Sequence, residues 1–482
     1  MHMGNPKKKL RRDERKVDDS RKRRVSFVAL GCPKAIVDVE KMLGLLAQAG
    51  HIICYEPEDA EVVFVNTCGF INPARLEAAD IINQMCELKK NDVISHVIVT
   101  GCIPQLKGKE LEKEFPDVDG FISAAGRDDI VSFMHSIVES EAPYAKFKLT
   151  APDVRFTGHD RDRFLILPQH VSHLRVAEGC NHGCAYCLIP KIRGKFRSKK
   201  TTEIVREAHE LAQVGVKELI LIAQDTTDFG YDLSGEHNLE LLLSQLSDIP
   251  GLEWLRVMYG YPTSVTDGLI NTFAGDNKVL PYFDLPLQHV NSEVLYNMRR
   301  EYDRDYVEAL MDKMFTQVPE MAMRTTFIVG FPGETVEQFN ELMKFIEESP
   351  IMRVGVFPYF DEPGTKAFKL PGKLNQAEVD RRYEVAQQVL EKKLQAIQEN
   401  FIDDEMQVIV DETDEDGFFR ARTYADAPEV DCVVYGETHG KVKAGEIIDV
   451  KIDGLVTFDD ENGGERFSET FDLHAQLREK ED

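Results

Sequence analysis

At 482 residues the chain is longer than one ordinary hydrophobic core, which predicts two to four domains. Hydrophobic residues make up 43% and charged residues 29%, and no apolar run approaches the ~20 residues that span a bilayer, so we expect a cytoplasmic protein and no membrane partner. The net charge of −26 argues against non-specific binding to nucleic acid, which needs a cationic face. Residues 1–24 depart from this balance, with eleven Lys/Arg against four Asp/Glu, and are predicted to form a disordered basic tail.

Short apolar runs alternate with amphipathic stretches from residue 25 to residue 140. This alternation predicts buried parallel strands joined by crossover helices, and therefore an N-terminal α/β domain. The predicted strands are 25–30, 62–65, 96–100 and 120–123, and the predicted helices are 36–49, 73–88, 106–115 and 128–138. Residues 141–163 are rich in Pro, Asp and Arg and are predicted to form a linker.

A second alternating series occupies residues 164–400, and its six strand–helix units predict a partial (βα)6 barrel that stays open. The predicted strands are 174–177, 218–223, 255–259, 282–285, 325–329 and 355–358. From 403 to 475 the pattern changes to short strands with glycine turns, which predicts a small antiparallel β-barrel. Residues 403–482 carry 24 Asp/Glu against eight Lys/Arg, a net charge of −16.

Three cysteines stand close together after the first predicted strand of the second series. Cys180, Cys184 and Cys187, called the barrel trio below, have C-x3-C-x2-C spacing. Thiolates are the usual protein ligands of a four-iron cluster, and three of them leave one iron open for a substrate. The alternative is a structural zinc, which normally takes four ligands in paired C-x2-C spacing. His182 could supply the fourth ligand only if its segment folded back between two ligands.

A second group of cysteines comes from three separate strand ends. Cys32, Cys68 and Cys102, called the N-terminal trio below, each follow one predicted strand. Because loops at the same edge of a parallel sheet lie close together, these cysteines can meet and hold a second cluster. The alternative is that they are ordinary buried thiols. That alternative suits the remaining cysteines, which are Cys54, Cys86 and Cys432.

The barrel trio, with Tyr186 just before its last cysteine, resembles the radical S-adenosylmethionine superfamily. The resemblance implies that S-adenosylmethionine binds the open iron and is cleaved to a 5′-deoxyadenosyl radical, with the three cysteines in the catalytic role. It also implies a partial barrel with its site at the C-terminal ends of the strands. Polar or glycine residues at those ends are candidate cofactor contacts, although each could equally be a turn or capping residue. They are Gln224, Asp225, Gln288, His289 and Gly330.

Two incomplete cysteine trios together with a C-terminal β-barrel resemble the methylthiotransferase family, from about residue 24 to the C-terminal module of the TRAM type. One branch of that family modifies an adenosine in tRNA, and the other modifies the β-carbon of an aspartate in protein twelve of the small ribosomal subunit. Four segments are similar to the protein-modifying branch, with Ala35 as a departure from its usual Asn. They are Leu30–Lys34, Val65–Ile71, Pro190–Ser198 and Tyr282–His289.

The resemblance implies two [4Fe–4S] clusters, one that generates the radical and one that holds the sulfur donor, and an external electron donor. The net charge of −16 favours a basic ribosomal protein as the partner, because a tRNA-binding module should be basic. Acidity that merely aids solubility is the simpler explanation of the same charge. Two alternatives remain open at this point, a tRNA methylthiotransferase and a non-catalytic metal-binding adaptor on the ribosome.

Overall fold

The computed structural model describes residues 22–139, 144–152, 160–275, 277–438, 442–459, 465–467 and 471–477. Most of the predicted basic tail, residues 1–21, and parts of the predicted linker, 140–143 and 153–159, lie outside the described residues. Three bodies follow one another along the chain, an α/β sheet, an open α/β barrel and a small closed β-barrel. The predicted fold class is confirmed.

The N-terminal body is a six-stranded parallel sheet with the order β2-β1-β3-β4-β5-β6. Its strands are β1 (Arg24–Ala29), β2 (Ile52–Ile53), β3 (Val62–Thr67), β4 (His96–Gly101), β5 (Gly120–Ser123) and β6 (Phe147–Lys148). Its helices are α1 (Pro33–Gln48), α2 (Asn72–Lys90), α3 (Cys102–Lys107), α4 (Leu111–Glu114) and α5 (Ile130–Val138). The central strand β3 is buried on both faces: Val63 and Val65 pack with α2, while Val62 and Phe64 pack with α1 and α5. Both faces are covered because parallel strands depend on crossover helices.

Two features of this body differ from the sequence prediction. The prediction of a single helix over 106–115 is wrong. Helix α3 begins at Cys102, and the α-helix is interrupted at Gly108, whose φ of +56° is left-handed. Part of the predicted linker is ordered into the sheet, because β6 pairs with β5 through Phe121 and Phe147. Their rings stack at 5.1 Å between centroids.

The second body is an open barrel of six parallel strands with the order β7-β10-β11-β12-β13-β14 and helices outside. Its strands, with a two-stranded ribbon formed by β8 and β9, are β7 (Val171–Arg175), β8 (Ala177–Glu178), β9 (Arg197–Ser198), β10 (Glu218–Ile222), β11 (Trp254–Val257), β12 (Val279–Asp284), β13 (Ala322–Val329) and β14 (Arg353–Pro358). Its helices are α6 (Ile189–Ile192), α7 (Thr201–Gln213), α8 (Tyr231–Ser234), α9 (Leu239–Ser247), α10 (Asp267–Phe273), α11 (Ser292–Asn297), α12 (Arg304–Gln317), α13 (Val336–Glu348) and α14 (Gln376–Glu399). Leu219 and Leu221 face the helical layer, whereas Ile220 and Ile222 face the inside of the barrel and the C-terminal body.

The third body is a closed five-stranded barrel with the order β15-β16-β17-β21-β18. Its strands and an adjoining two-stranded ribbon are β15 (Glu405–Thr413), β16 (Phe418–Thr423), β17 (Val434–Glu437), β18 (Ile447–Leu455), β19 (Thr457–Asp459), β20 (Glu465–Phe467) and β21 (Leu473–Leu477). The pairs are antiparallel except β17 with β21. Arg422 fixes this barrel to the open barrel, because its guanidinium pairs with Glu218 and Asp411 at 2.7 Å each.

A buried ionic network joins the N-terminal sheet to the open barrel. Asp38 on α1 accepts hydrogen bonds from Arg127, from Arg175 on β7 at 2.8 Å and from Arg193 at 2.6 Å. Burial opposes the charge of Asp38, but the three guanidinium groups hold the pKa of its carboxyl well below the usual range. Because removal of one member leaves a buried charge uncompensated, this network fixes how the two bodies meet.

Candidate active site

The barrel trio lies on one loop at the mouth of the open barrel, directly after β8. Its backbone is anchored at two points, since the Cys180 N–H donates to the Gly194 carbonyl at 3.1 Å and the Ala185 N–H donates to the Met298 carbonyl at 2.8 Å. Gly179 is required for this close approach, because a Cβ at that position would lie 2.1 Å from the Lys195 carbonyl oxygen. The loop is therefore held in shape by the protein itself.

A cation and a group of tyrosines surround the middle cysteine of this trio. The Arg300 guanidinium donates to the Cys184 Sγ at 3.5 Å and to the Tyr302 hydroxyl at 2.6 Å, and it stacks over the Tyr261 ring at 4.3 Å. Burial raises the pKa of the Cys187 thiol to about 12. A thiol in such surroundings stays protonated on its own and loses its proton when it binds a metal.

Two of the five candidate cofactor contacts hold the trio's loop from the end of β10. The Gln224 side chain accepts from the Gly179 N–H at 2.8 Å and donates to the Glu178 carboxylate at 2.9 Å. Asp225 lies 2.6 Å from Nε2 of His182, whose ring stacks on Tyr261 with 3.6 Å between centroids. Asp225 and Tyr261 thus hold the His182 ring. This argues against His182 as the fourth ligand of a metal bound by the barrel trio.

The other three candidates are fixed by local contacts. Gln288 has a left-handed φ of +70° and bridges to β13 through its backbone. The Gly330 N–H donates to the Glu334 carboxylate at 2.6 Å. Nδ1 of His289 accepts from the Asn291 N–H at 3.0 Å, and burial lowers the pKa of its imidazole to about 3. Among the described residues, the partners of these His289 and Gly330 hydrogen bonds lie outside the cysteine loop.

The N-terminal trio meets at the carboxyl edge of the N-terminal sheet, as the strand-end positions predict. Cys32 precedes α1, Cys68 follows β3 and Cys102 is the first residue of α3. The loops touch, because a Cβ at Gly69 would lie 3.1 Å from the backbone carbon and oxygen of Cys102. Burial, reinforced by the neighbouring thiols of Cys102 and Cys32, raises the pKa of Cys68 to about 11.

The spacing of the sulfur atoms tests which metal group suits the two trios. Neither trio has its three Sγ atoms all within 4.8 Å of one another in the part of the chain that the structure describes. Two sulfurs bound to one zinc at about 2.3 Å each cannot be more than about 4.6 Å apart. Three thiolates on each side, with N–H donors to the sulfurs of Cys187, Cys102 and Cys184, fit an iron–sulfur cluster.

The remaining cysteines stand apart from both trios. The Cys54 thiol donates to the Asp59 carbonyl at 3.5 Å, just beyond the end of β2. Cys86 lies on α2 in the N-terminal core, and Cys432 is buried in the C-terminal body. Their contacts agree with their interpretation as ordinary thiols.

Contacts across the boundary bring the two trios to one region, and no local sequence pattern predicts these contacts. Lys34, two residues after Cys32, donates to the Ala223 carbonyl at 3.2 Å and lies over the Tyr259 ring at 3.1 Å. Glu362, in the loop after β14, accepts from the Asn72 N–H and pairs with Arg75, both at 2.6 Å. Arg193 reaches the sulfur of Cys102 from the barrel. Only the segment Pro190–Ser198, which carried part of the family resemblance, pointed toward Arg193.

Comparison with protein-family models divides the chain in the same order as the fold. Residues 24–123 match a family described as uncharacterized protein family UPF0004, residues 174–346 match the radical SAM superfamily, and residues 402–459 match the TRAM domain. Among solved structures, the radical S-adenosylmethionine methyltransferase TsrM from Kitasatospora setae is similar in fold, with a TM-score of 0.50 and 14% identity over 70% of this chain and 74% of that one. The barrel with its cysteine loop therefore defines a radical S-adenosylmethionine enzyme.

Curated relatives narrow this class. Proteins named ribosomal protein uS12 methylthiotransferase RimO from Clostridioides difficile and Aquifex aeolicus are 36% and 40% identical to the chain, each over 90% of it and over 97% and 96% of their own length. A third, from Caldanaerobacter subterraneus, is 40% identical over 91% of this chain and 99% of its own. The chain belongs to the RimO family of methylthiotransferases. No helix in the described ranges combines the length and the apolar character needed to cross a membrane.

Proposed function

We propose that this chain transfers a methylthio group to the β-carbon of an aspartate in ribosomal protein uS12, with two [4Fe–4S] clusters and S-adenosylmethionine as cofactors. The observation that carries the proposal is the meeting of two cysteine trios at one boundary, where Arg193 of the barrel donates to Cys102 of the sheet at 3.4 Å. The family to which the chain belongs supports the reaction, and the names of the relatives support the substrate. We infer a cytoplasmic location from the proposed ribosomal substrate.

The residues of the chain have separable roles in this proposal. Cys180, Cys184 and Cys187 would bind one cluster, and Cys32, Cys68 and Cys102 would bind the other. When bound, these groups and S-adenosylmethionine supply the radical and sulfur-transfer chemistry that an unactivated aliphatic C–H bond requires.

The neighbouring side chains orient that chemistry and screen it from water. Arg300 donates to Cys184 and stacks on Tyr261, so it neutralises thiolate charge within an aromatic wall. Gln224 holds the start of the cysteine loop through the Gly179 N–H. Lys34 lies in the boundary between the two bodies. Its ammonium group donates to the Ala223 carbonyl of the barrel, and only 7% of its surface is exposed to water.

Charge favours a basic protein over tRNA as the substrate. The segment 403–482 has a net charge of −16, and three of its basic side chains already have acidic partners. Arg420 pairs with Glu412, Lys451 pairs with Asp403, and Arg422 is buried. A surface of this sign attracts a basic ribosomal protein and repels a phosphate backbone.

The test is an anaerobic incubation of the reconstituted enzyme with S-adenosylmethionine and dithionite, which stands in for the electron donor. We expect a methylthio mass on the aspartate-containing peptide of uS12 and none on tRNA, with about eight irons and no zinc per chain. Cys54→Ala is the matched control, since Cys54 lies outside both trios and its loss should leave iron and product unchanged. Product on tRNA alone, or a zinc-loaded protein, would contradict the proposal.

A further inference from the structure

Arg193 lies between the two cysteine trios and is not a ligand in the proposed scheme. It follows α6 and is 6% exposed. Its guanidinium donates through Nη2 to the Cys102 Sγ at 3.4 Å and through Nη1 to Asp38 at 2.6 Å, and it lies 3.7 Å from the Glu178 carboxylate. One side chain of the barrel therefore touches the N-terminal trio, the N-terminal helix α1 and the residue at the start of the barrel trio's loop.

The backbone next to Arg193 holds the barrel trio at the same time. The Gly194 carbonyl accepts the Cys180 N–H at 3.1 Å. The Lys195 carbonyl occupies the space that a side chain at Gly179 would need. A movement of the segment 193–195 would thus displace the Cys180 loop through the backbone and the Cys102 contact through the side chain. The segment therefore contacts both trios.

The hydrogen bond to Cys102 has an electronic consequence for anything bound there. Hydrogen bonds to ligand sulfurs and nearby charge set the reduction potential of an iron–sulfur cluster, together with burial. A guanidinium is permanently charged and donates from a planar fork, so it favours the more negative, reduced state of a cluster beside it. The barrel trio receives the same kind of donor from Arg300 within its own body, whereas the N-terminal trio receives it from the other body.

We propose that Arg193 is a positioning residue that fixes the N-terminal cluster against the barrel trio's loop and raises the reduction potential of that cluster. This inference rests on the proposed cluster ligation, but it does not depend on the identity of the substrate. Loss of the guanidinium lowers the potential and loosens the spacing between the two trios. S-adenosylmethionine cleavage then continues with less methylthio transfer per turnover.

The test measures the N-terminal cluster by itself, in the full chain with Cys180, Cys184 and Cys187 all changed to Ala. In this background Arg193→Met removes both the charge and the donor. We expect the ratio of reduced to oxidised cluster at a fixed poise to fall about tenfold, which corresponds to about 59 mV for a one-electron couple. The readout is an EPR-monitored redox titration with iron per chain measured on the same samples.

Arg127→Met is the matched control. Arg127 is also buried and pairs with the same Asp38 and with Asp160 at 3.0 Å, and its side-chain hydrogen bonds in the described part of the chain go to these carboxylates. A role through the ionic network alone predicts the same shift for both variants, whereas a role through Cys102 predicts a shift for Arg193→Met only. An equal shift in both variants, or none in Arg193→Met, would overturn the proposal.

Arg193→Lys decides the question if the Met variant loses its iron. Lysine keeps the buried positive charge that Asp38 and Glu178 require but lacks the second arm of the fork, so we expect a smaller shift in the same direction, about threefold in the reduced-to-oxidised ratio. A potential identical to that of the parent would count against the proposal. The titration needs no ribosomal protein, so a failed substrate assay and a failed Arg193 test give separate results.

Discussion

The two trios of cysteines differ in how the chain assembles them. Cys180, Cys184 and Cys187 come from one loop, whereas Cys32, Cys68 and Cys102 come from three strand ends 36 and 34 residues apart. The barrel trio takes its cationic partner from its own body, and the N-terminal trio takes its partner from the barrel. The barrel trio is therefore complete within one folded unit, and the surroundings of the N-terminal trio are complete only when the sheet has docked on the barrel.

The largest expected effect separates the two trios by function. Cys184→Ala should abolish 5′-deoxyadenosine formation and halve the iron content, because the barrel trio loses one of three ligands while the N-terminal trio is intact. Cys68→Ala should lose the same amount of iron, keep S-adenosylmethionine cleavage and stop methylthio transfer. Iron analysis and chromatographic detection of 5′-deoxyadenosine check both. Cleavage that persists in Cys184→Ala would show that the barrel trio has another role.

A smaller effect is expected at the cation of the barrel trio. Arg300→Met removes the donor to Cys184 and the stacking partner of Tyr261, and the loss of such outer contacts typically costs about 10–100-fold in activity or metal affinity. We expect that loss in the rate of S-adenosylmethionine cleavage, with the iron of the N-terminal trio retained.

Arg304→Ala provides the comparison for Arg300→Met, because Arg304 lies at the start of α12 and pairs with Glu308 at 2.8 Å and with Glu341, and all three side chains are at least 30% exposed. It should change the cleavage rate less than about threefold, as expected for exposed pairs. Equal losses in the two variants would assign the effect to general destabilisation of the barrel.

The docking of the sheet on the barrel is tested through Glu362. Its carboxylate accepts the first free N–H of α2 and pairs with Arg75, and it is 3% exposed. Glu362→Ala should lower the free energy of unfolding by about 2 kcal/mol, through loss of a helix cap and a charged hydrogen bond. The measurement is the first unfolding transition in a urea titration. Asp361→Asn, which breaks the neighbouring exposed pair with Lys373, should cost less than about 1 kcal/mol. If both changes cost the same, Glu362 is not a docking contact.

Much of the fold followed from local sequence, and the partners of the site did not. Apolar runs such as Val62–Val65 predicted their strands, because a strand buried on both faces must be continuously apolar. The last barrel strand, Leu473–Leu477, is not individually predicted from the sequence: its apolar residues alternate with His and Gln as in a half-buried strand, but the run is only five residues long. The strand-end rule predicted that the N-terminal trio would meet, but Arg193 lies 91 residues from Cys102. Only the packing of two bodies creates that contact, so no local pattern carries it.

The smallest expected effect concerns the contact between two loops of the N-terminal trio. Gly69→Ala introduces a Cβ that would lie 3.1 Å from the backbone of Cys102, so one loop must shift by a few tenths of an ångström. Such overpacking costs about 1 kcal/mol at the low end, and we expect that loss in the first urea transition together with weaker iron retention at this trio alone. Gly454→Ala is the control, because nothing lies within 4 Å of a Cβ added there. The barrel trio should keep its iron in both variants, since its loop is anchored inside its own body. If Gly69→Ala lost equal amounts of iron from both trios, the contact at Gly69 would stabilise both sites. The barrel trio would then not be complete within its own body.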